Sequence, residues 1–382
     1  MNEKRKELIL VFLVTFVCLI GLFLRTDRLT YSDPDFSEIY DHRFYIEMAT
    51  GHPSDLRYAP FEYRILNPLL AKLLPFDLLT NFTVLSFTAL WLTGIITYFM
   101  LRTMGFSTPL AFIGLLFYLS SGWATKYNIY DFWLTDPLGF LFIVATMWSI
   151  FAKKDLYFLL LLAVGVTAKE NVIFVAPLYY TFNSKKMFDG KLLFRCLYLT
   201  APALLIFIGI RIFTPIENTA YNIQFLLQTI GIKRIQQFSK DFRDYFLLYS
   251  IGTFGISLIL LPLFSIKQNL SLSLKFLPFT ALTYLSLLFA YNTERIIVSA
   301  FPAVIVLALN GIKNITDKTG FPEKIFAFLP LSIIALLLIK KEGYIISSLY
   351  EALILLLFLA LSLQSYRFTK KEPATDKGRY QG

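Results

Sequence analysis

The chain has 382 residues, 56% of them hydrophobic and 17% aromatic, which is above the roughly 45–50% apolar content of soluble domains and predicts an all-α, polytopic membrane protein. Its net charge of +10 is accounted for first by membrane sidedness, so nucleic acid is not an expected partner. Cys18 and Cys196 both lie in apolar spans and offer no disulfide framework, and two histidines, His42 and His52, exclude a multi-histidine metal site.

In chain order, MNEKRKE precedes the apolar run 8–24, and the RTDRL that follows has no small-residue cleavage site, so the run reads as a retained first transmembrane helix. Further spans fall near 82–101, 106–121, 132–151, 196–214, 245–265, 276–291, 296–312, 325–340 and 343–364. Residues 156–183 are too long for one ordinary helix and short for two. AKKD at 152–155 and NSKKMFDGKLLFR at 183–195 flank them, and short basic loops stay cytoplasmic, so the segment goes in and comes back. The arms 156–168 and 171–183 then form a helical hairpin turning at Ala168-Lys169-Glu170-Asn171, each arm about 20 Å long. The total is about twelve helices in one domain over 1–366, with both termini cytoplasmic and a disordered tail over 367–382. About 20 of the 36 Lys/Arg then lie in cytoplasmic segments and about 16 of the 26 Asp/Glu outside, which agrees with that orientation.

Two outer loops are long, 25–80 and 215–244. In the first, Phe36, Tyr40, Phe44 and Met48 form an i,i+4 stripe that predicts an interfacial helix over 36–50, with Asp41 and Tyr45 pointing elsewhere, flanked by Glu38 and His42. Arg43 and Glu47 are spaced for an ion pair. Arg64, in PFEYRILNP, either anchors at headgroup level or belongs to a site. Asp136 lies about a turn inside the fourth helix and needs a cationic or polar partner. Two readings stand for Lys169: it snorkels, with Glu170 as its local ion-pair partner, or it serves a function, the default for an intramembrane charge. Lys126 and Asp131 read equally as plain surface charges, and Glu351 in the last helix has no functional reading. The 215–244 loop carries Lys233, Arg234, Lys240 and Arg243 on amphipathic helix and reads as a helix bound to lipid headgroups.

Asp41-x3-Tyr45-x3-Ala49-x-Gly51 resembles the first-loop signature of the fold-C glycosyltransferases (GT-C), which include the protein O-mannosyltransferases, the lipid A aminoarabinose transferases and the GPI mannosyltransferases. The resemblance continues through Asp136-Pro137, through VGVTAKENVIFVAPL, similar to the hairpin of the O-mannosyltransferase-like members, and through Glu294-Arg295 before Ala300-Phe301-Pro302. It implies a GT-C-like fold and glycosyl transfer from a polyprenyl-phosphate sugar to a glycan, lipid or protein acceptor on the outer face. That face belongs to a cytoplasmic (inner) membrane, or to the lumenal side of an ER membrane in a eukaryote. The family's first-loop acid maps onto Asp41, and the region that corresponds to 215–244 tends to cover the site in the family, which implies a lid or acceptor platform there. Family members often pair two acids where this chain has Asp41-His42, so a divalent metal, magnesium or manganese, would need Asp33, Asp35 or Glu38 beside Asp41.

The chemistry assigned to these residues follows from their types. Asp41 is the candidate general base for an acceptor hydroxyl. Lys169, Arg295 and Arg64 are candidates to hold the leaving lipid phosphate, with Tyr45, His42, Asp136, Glu170 and Glu294 in support. A different class, a transporter or flippase of a lipid-linked sugar or anionic solute, would also use broken helices and buried charges. A folded structure separates them by whether Asp41, Lys169 and Arg295 line one cavity.

Overall fold

Polar caps and prolines divide the apolar runs into helices. The computed structural model describes residues 3–31, 36, 41–51, 59–186, 188–214, 227–289, 292–340 and 348–371. Among these there is helix and no strand. In chain order the helices are α1 Glu3–Arg25, α2 His42–Thr50, α3 Leu66–Leu73, α4 Leu78–Thr103, α5 Thr108–Ser120, α6 Lys126–Tyr130, α7 Asp136–Phe151 and α8 Asp155–Ala168. They continue as α9 Ala176–Asn183, α10 Gly190–Phe213, α11 Ile232–Leu260, α12 Ile266–Leu285, α13 Thr293–Ile297, α14 Phe301–Thr319, α15 Phe328–Ile339 and α16 Ser348–Lys371. Asp77 caps α4 by accepting the Thr80 amide, and Ser107 caps α5 by accepting the Leu110 amide, each satisfying an N–H that the first helical turn leaves free.

Five stretches are long and apolar enough to cross a membrane by length and composition: Arg5–Arg25, Leu78–Thr103, Gly190–Phe213, Phe246–Phe289 and Thr293–Thr319. The described residues add four shorter apolar helices, Thr108–Ser120, Asp136–Phe151, Asp155–Ala168 and Leu349–Gln364. Stretches and crossings do not correspond one to one. Phe246–Phe289, 44 residues long, doubles back at the turn Leu261–Ser265, which returns Tyr284 to Ser250 at 2.9 Å, hydroxyl to hydroxyl. The turn thus falls earlier than the spans 245–265 and 276–291 imply, and the polar run between them is helix. Likewise α16 continues to Lys371 and takes Arg367–Lys371 from the expected tail.

Residues 155–183 also double back. The Tyr179 hydroxyl in α9 donates to Asp155 at the start of α8, at 2.9 Å, and the Phe158 and Tyr179 rings meet at 4.9 Å. The two arms are therefore antiparallel, with Lys169 at the turn. Close approach is built in elsewhere by missing side chains: a Cβ at Gly311 would overlap the Leu261 carbonyl, so α14 lies backbone to backbone against that turn. The most buried layer is α4, α5, α7 and α14, whereas α10 presents Phe194, Tyr198, Leu205 and Phe213 outward. An exposed apolar face of this length is compatible with a multi-pass membrane protein.

The first-loop helix is seated differently from the expected interfacial arrangement. In α2 the buried side chains are His42, Tyr45 and Ala49, and the helix packs on α3 and on Phe82, Phe132 and Trp133. Phe44 stacks on Phe61, ring centroids 4.8 Å apart, rather than facing away from the protein. Of the expected 36–50 helix, Ser37–Tyr40, including Glu38, and also Asp33 and Asp35, lie outside the described residues.

Candidate functional site

Charged side chains from five separate segments meet at one end of the bundle. Asp41 stands at the N-terminus of α2; Arg64 follows the short turn Phe61–Tyr63; Asp136 opens α7; Lys169 and Glu170 lie at the hairpin tip; Arg295 sits in α13. Arg295 bridges two carboxylates, donating from Nη1 to Asp41 at 3.0 Å and from Nη2 to Asp136 at 2.9 Å. The other oxygen of Asp136 accepts from the Lys169 ammonium. Arg64 forks onto Glu170 with bonds of 2.9 and 2.5 Å and donates its remaining arm to the Tyr45 hydroxyl at 2.8 Å. Bidentate guanidinium–carboxylate geometry of this kind is the strong form of the interaction.

The local backbone explains the partition at the tip. Lys169 is extended, φ −158° and ψ 134°, and successive side chains of extended chain point to opposite sides. Lys169 therefore goes to Asp136 and Glu170 to Arg64, which corrects the reading of Glu170 as the ion-pair partner of Lys169. Gly139, one turn along α7 from Asp136, leaves room for the lysine stem, since a Cβ there would lie 3.1 Å from Lys169 Cδ. The tip is held from the other side by Asn171, which donates to Ser299 just after α13 at 2.7 Å.

Three cations, Arg64, Lys169 and Arg295, thus face three carboxylates, Asp41, Asp136 and Glu170. None of the three expected phosphate ligands is a free cation. Accessibility is uneven: the side chains of Asp41 and Glu170 are 25% and 28% exposed, and that of Asp136 is 1% exposed. Burial works against the Arg64 charge, but Glu170, Tyr45 and Asp41 outweigh it and keep the guanidinium charged well above the ordinary range. Burial pushes the Tyr45 phenol up to about 12, so it stays a neutral hydrogen-bonding group at physiological pH.

His42 is buried and stacks on Phe36, centroids 4.1 Å apart. Glu294 precedes Arg295 in α13, is half-buried, and makes no ion pair among the described residues. No group of three or more His, Cys, Asp or Glu side chains among the described residues is arranged to hold a metal ion. Asp41 has an arginine as its partner instead.

Two residues read as plain surface charges are buried. Lys126 is 1% exposed and donates to the carbonyls of Leu337, at 2.9 Å, and Lys340, closing the C-terminal end of α15. Asp131 has one carboxyl oxygen without a partner; burial pushes its carboxyl up to about 7, opposed by Arg295 and reinforced by Asp41 and Asp136. It is a fourth acid of the cluster. Sequence reasoning also passed over Arg211, whose guanidinium lies 4.5 Å over the Tyr63 ring, donates to the Phe207 carbonyl at 3.0 Å and feels Glu170. It makes no ion pair among the described residues. The one available signal was an arginine in the last turn of an apolar helix. In the second long loop, 215–226 lie outside the described residues; Arg234 donates to Tyr249 and, at 2.7 Å, to Thr293 of the helix that carries Arg295.

A scan against protein-family models finds no match, and a search of curated proteins finds none either.

Proposed function

We propose that this chain is an integral-membrane glycosyltransferase that moves a sugar from a polyprenyl-phosphate donor to an acceptor hydroxyl. One observation supports the reading: Asp41, Arg295, Asp136 and Lys169, remote in sequence and each in a motif that resembles one of the GT-C enzymes, form one continuous chain of ion pairs; the cavities lined by Trp148 and Tyr157 and by Glu351 are formed by other residues.

The pairing itself suggests how donor and base are coupled. A donor phosphate arriving at Arg295 competes with Asp41, the exposed partner, while Asp136 stays bound in its buried place. Asp41 is then released as a free carboxylate beside the bound donor. It accepts the acceptor's hydroxyl proton as that oxygen bonds to the anomeric carbon and the bond from that carbon to the phosphate oxygen breaks, with inversion. The departing phosphate gains negative charge, which Arg295, Lys169 and Arg211 offset. Arg64, by exchanging Glu170, adds a bidentate ligand.

The test is transfer from a radiolabelled polyprenyl-phosphate sugar in membranes carrying wild type or Asp41→Asn. Removal of a general base is expected to cost about 10²- to 10⁴-fold in rate. Equal transfer by both proteins removes Asp41 as the base. A carrier is the second reading, favoured by the break in α11 at Gly255; absence of transfer from every donor offered would select it.

A further inference from the structure

Glu351 is buried in the first turn of α16, at 6% exposure. Its carboxyl group lies against Gly255, where α11 is interrupted by a left-handed φ of 79°. The backbone angle favours glycine there, and a Cβ at that position would displace the Glu351 carboxyl from its place. An interruption of this kind leaves amides of the following turn without helical partners, and those of Ile256 and Ser257 face the Glu351 carboxyl.

The far oxygen, Oε2, has no partner. The carboxyl lines a cavity of ≈ 30 Å³ shared with Ser120, Ser121, Gly252 and Thr253, and the Ser121 hydroxyl is likewise unpartnered. That is room for a water molecule beside two polar groups that lack one. Charged groups on the neighbouring elements are Lys126 beyond the Ser121 turn, Lys340 after α15, Lys313, Asp317 and Lys318 late in α14, and Lys233, Arg234, Lys240, Asp241 and Arg243 early in α11. None of them forms an ion pair with Glu351 among the described residues. A buried carboxylate without a cation is strongly disfavoured.

We propose that Glu351 at the Gly255 break is a proton-binding site, occupied as the neutral acid with its O–H directed into the cavity. The amides of Ile256 and Ser257 then meet the carbonyl oxygen, while Oε2 donates to water or to Ser121. This site is separate from the Asp41 cluster and does not rest on the transferase reading.

Dicyclohexylcarbodiimide tests it on the unaltered full-length protein in membranes. A protonated carboxyl in apolar surroundings adds across the reagent's N=C bond: the acid oxygen bonds to the central carbon, the proton passes to nitrogen, and acyl migration gives a stable N-acylurea. Peptide mass spectrometry is expected to find the adduct on Glu351, falling about tenfold per pH unit above its midpoint and equal in sodium chloride and choline chloride. An unmodified Glu351 peptide at every pH means an ionised, hydrated carboxylate and overturns the proposal. Protection by sodium overturns it in favour of a metal-cation site. Glu351→Gln, which imitates the neutral acid, is expected to keep the wild-type thermal midpoint; a protein that no longer folds would show that the charged form is required and would also overturn it.

Discussion

Arg64 and Asp131 show what single side chains contribute to the cluster. Arg64 engages both oxygens of Glu170 and the Tyr45 hydroxyl at once, which the point charge of lysine cannot do. Arg64→Lys is therefore expected to cost about 1–2 kcal/mol, and Arg64→Met, which strands Glu170, about 3–5 kcal/mol, measured as thermal or denaturant stability in detergent. Equal stability of all three proteins would mean that the fork is not held in solution. Asp131 makes a pH prediction. Its folded-state value of about 7 lies above the ordinary carboxylate value of roughly 4, so between those limits the folded protein holds a proton that the unfolded chain has lost. Stability contributed by this group falls as pH rises through that window and is level above it. Asp131→Asn should flatten that part of the profile of thermal midpoint against pH; an unaltered slope would assign it to other groups.

At the scale of elements, glycines set how closely the helices approach. Gly311 admits the Leu261 carbonyl, a backbone atom that cannot swing aside, so Gly311→Ala is expected to destabilise by about 1–3 kcal/mol. Gly209 in α10 has nothing within 4 Å of a Cβ, and Gly209→Ala should be neutral or stabilise by about 0.5–1 kcal/mol through helix propensity. Comparing the two thermal midpoints separates close packing from propensity; equal shifts would show that α14 does not bear on the Leu261 turn. The hairpin of α8 and α9 follows the same logic in a different form. Its arms are short, and its extended turn directs one charge into α7 and the other toward the first loop.

For the whole molecule, the hairpin fixes a testable sidedness. Asp155 and Tyr179 are in contact, so Lys153 and Lys186, just beyond the two arms, lie at the same end of the hairpin, and the topology expected from the flanking charges would put them on the cytoplasmic face and Glu62 on the other. Single cysteines at Lys153 and Lys186, in a background with Cys18 and Cys196 replaced by serine, should resist a membrane-impermeant thiol reagent in intact cells, while Glu62→Cys reacts. Opposite labelling of the Lys153 and Lys186 positions would refute the hairpin. The outward apolar side of α10 and the ion-paired cluster fit together at this scale: apolar surface faces outward and three cations meet three carboxylates within.

The helical class, the apolar stretches and the doubling back at 156–183 were legible in the sequence alone, because each depends on local run length or on charges flanking a segment. The charged residues of the cluster could be named for the same reason: a lysine or an acid in an apolar run stands out. Their partners could not. Arg295 is 254 residues from Asp41 and 159 from Asp136, and Arg64 is 106 from Glu170, separations at which no spacing rule operates. Lys126, Asp131 and Glu351 looked idle because burial is a property of packing, and Glu351 meets the Gly255 break where α16 lies against α11. VGVTAKENVIFV and its lysine-rich flanks at 152–155 and 183–195 determined that two charges would stand at the tip of a hairpin. Only the tertiary structure decided that they part company there, since the extended backbone at Lys169 turns neighbouring side chains to opposite sides and different helices supply the opposing charges.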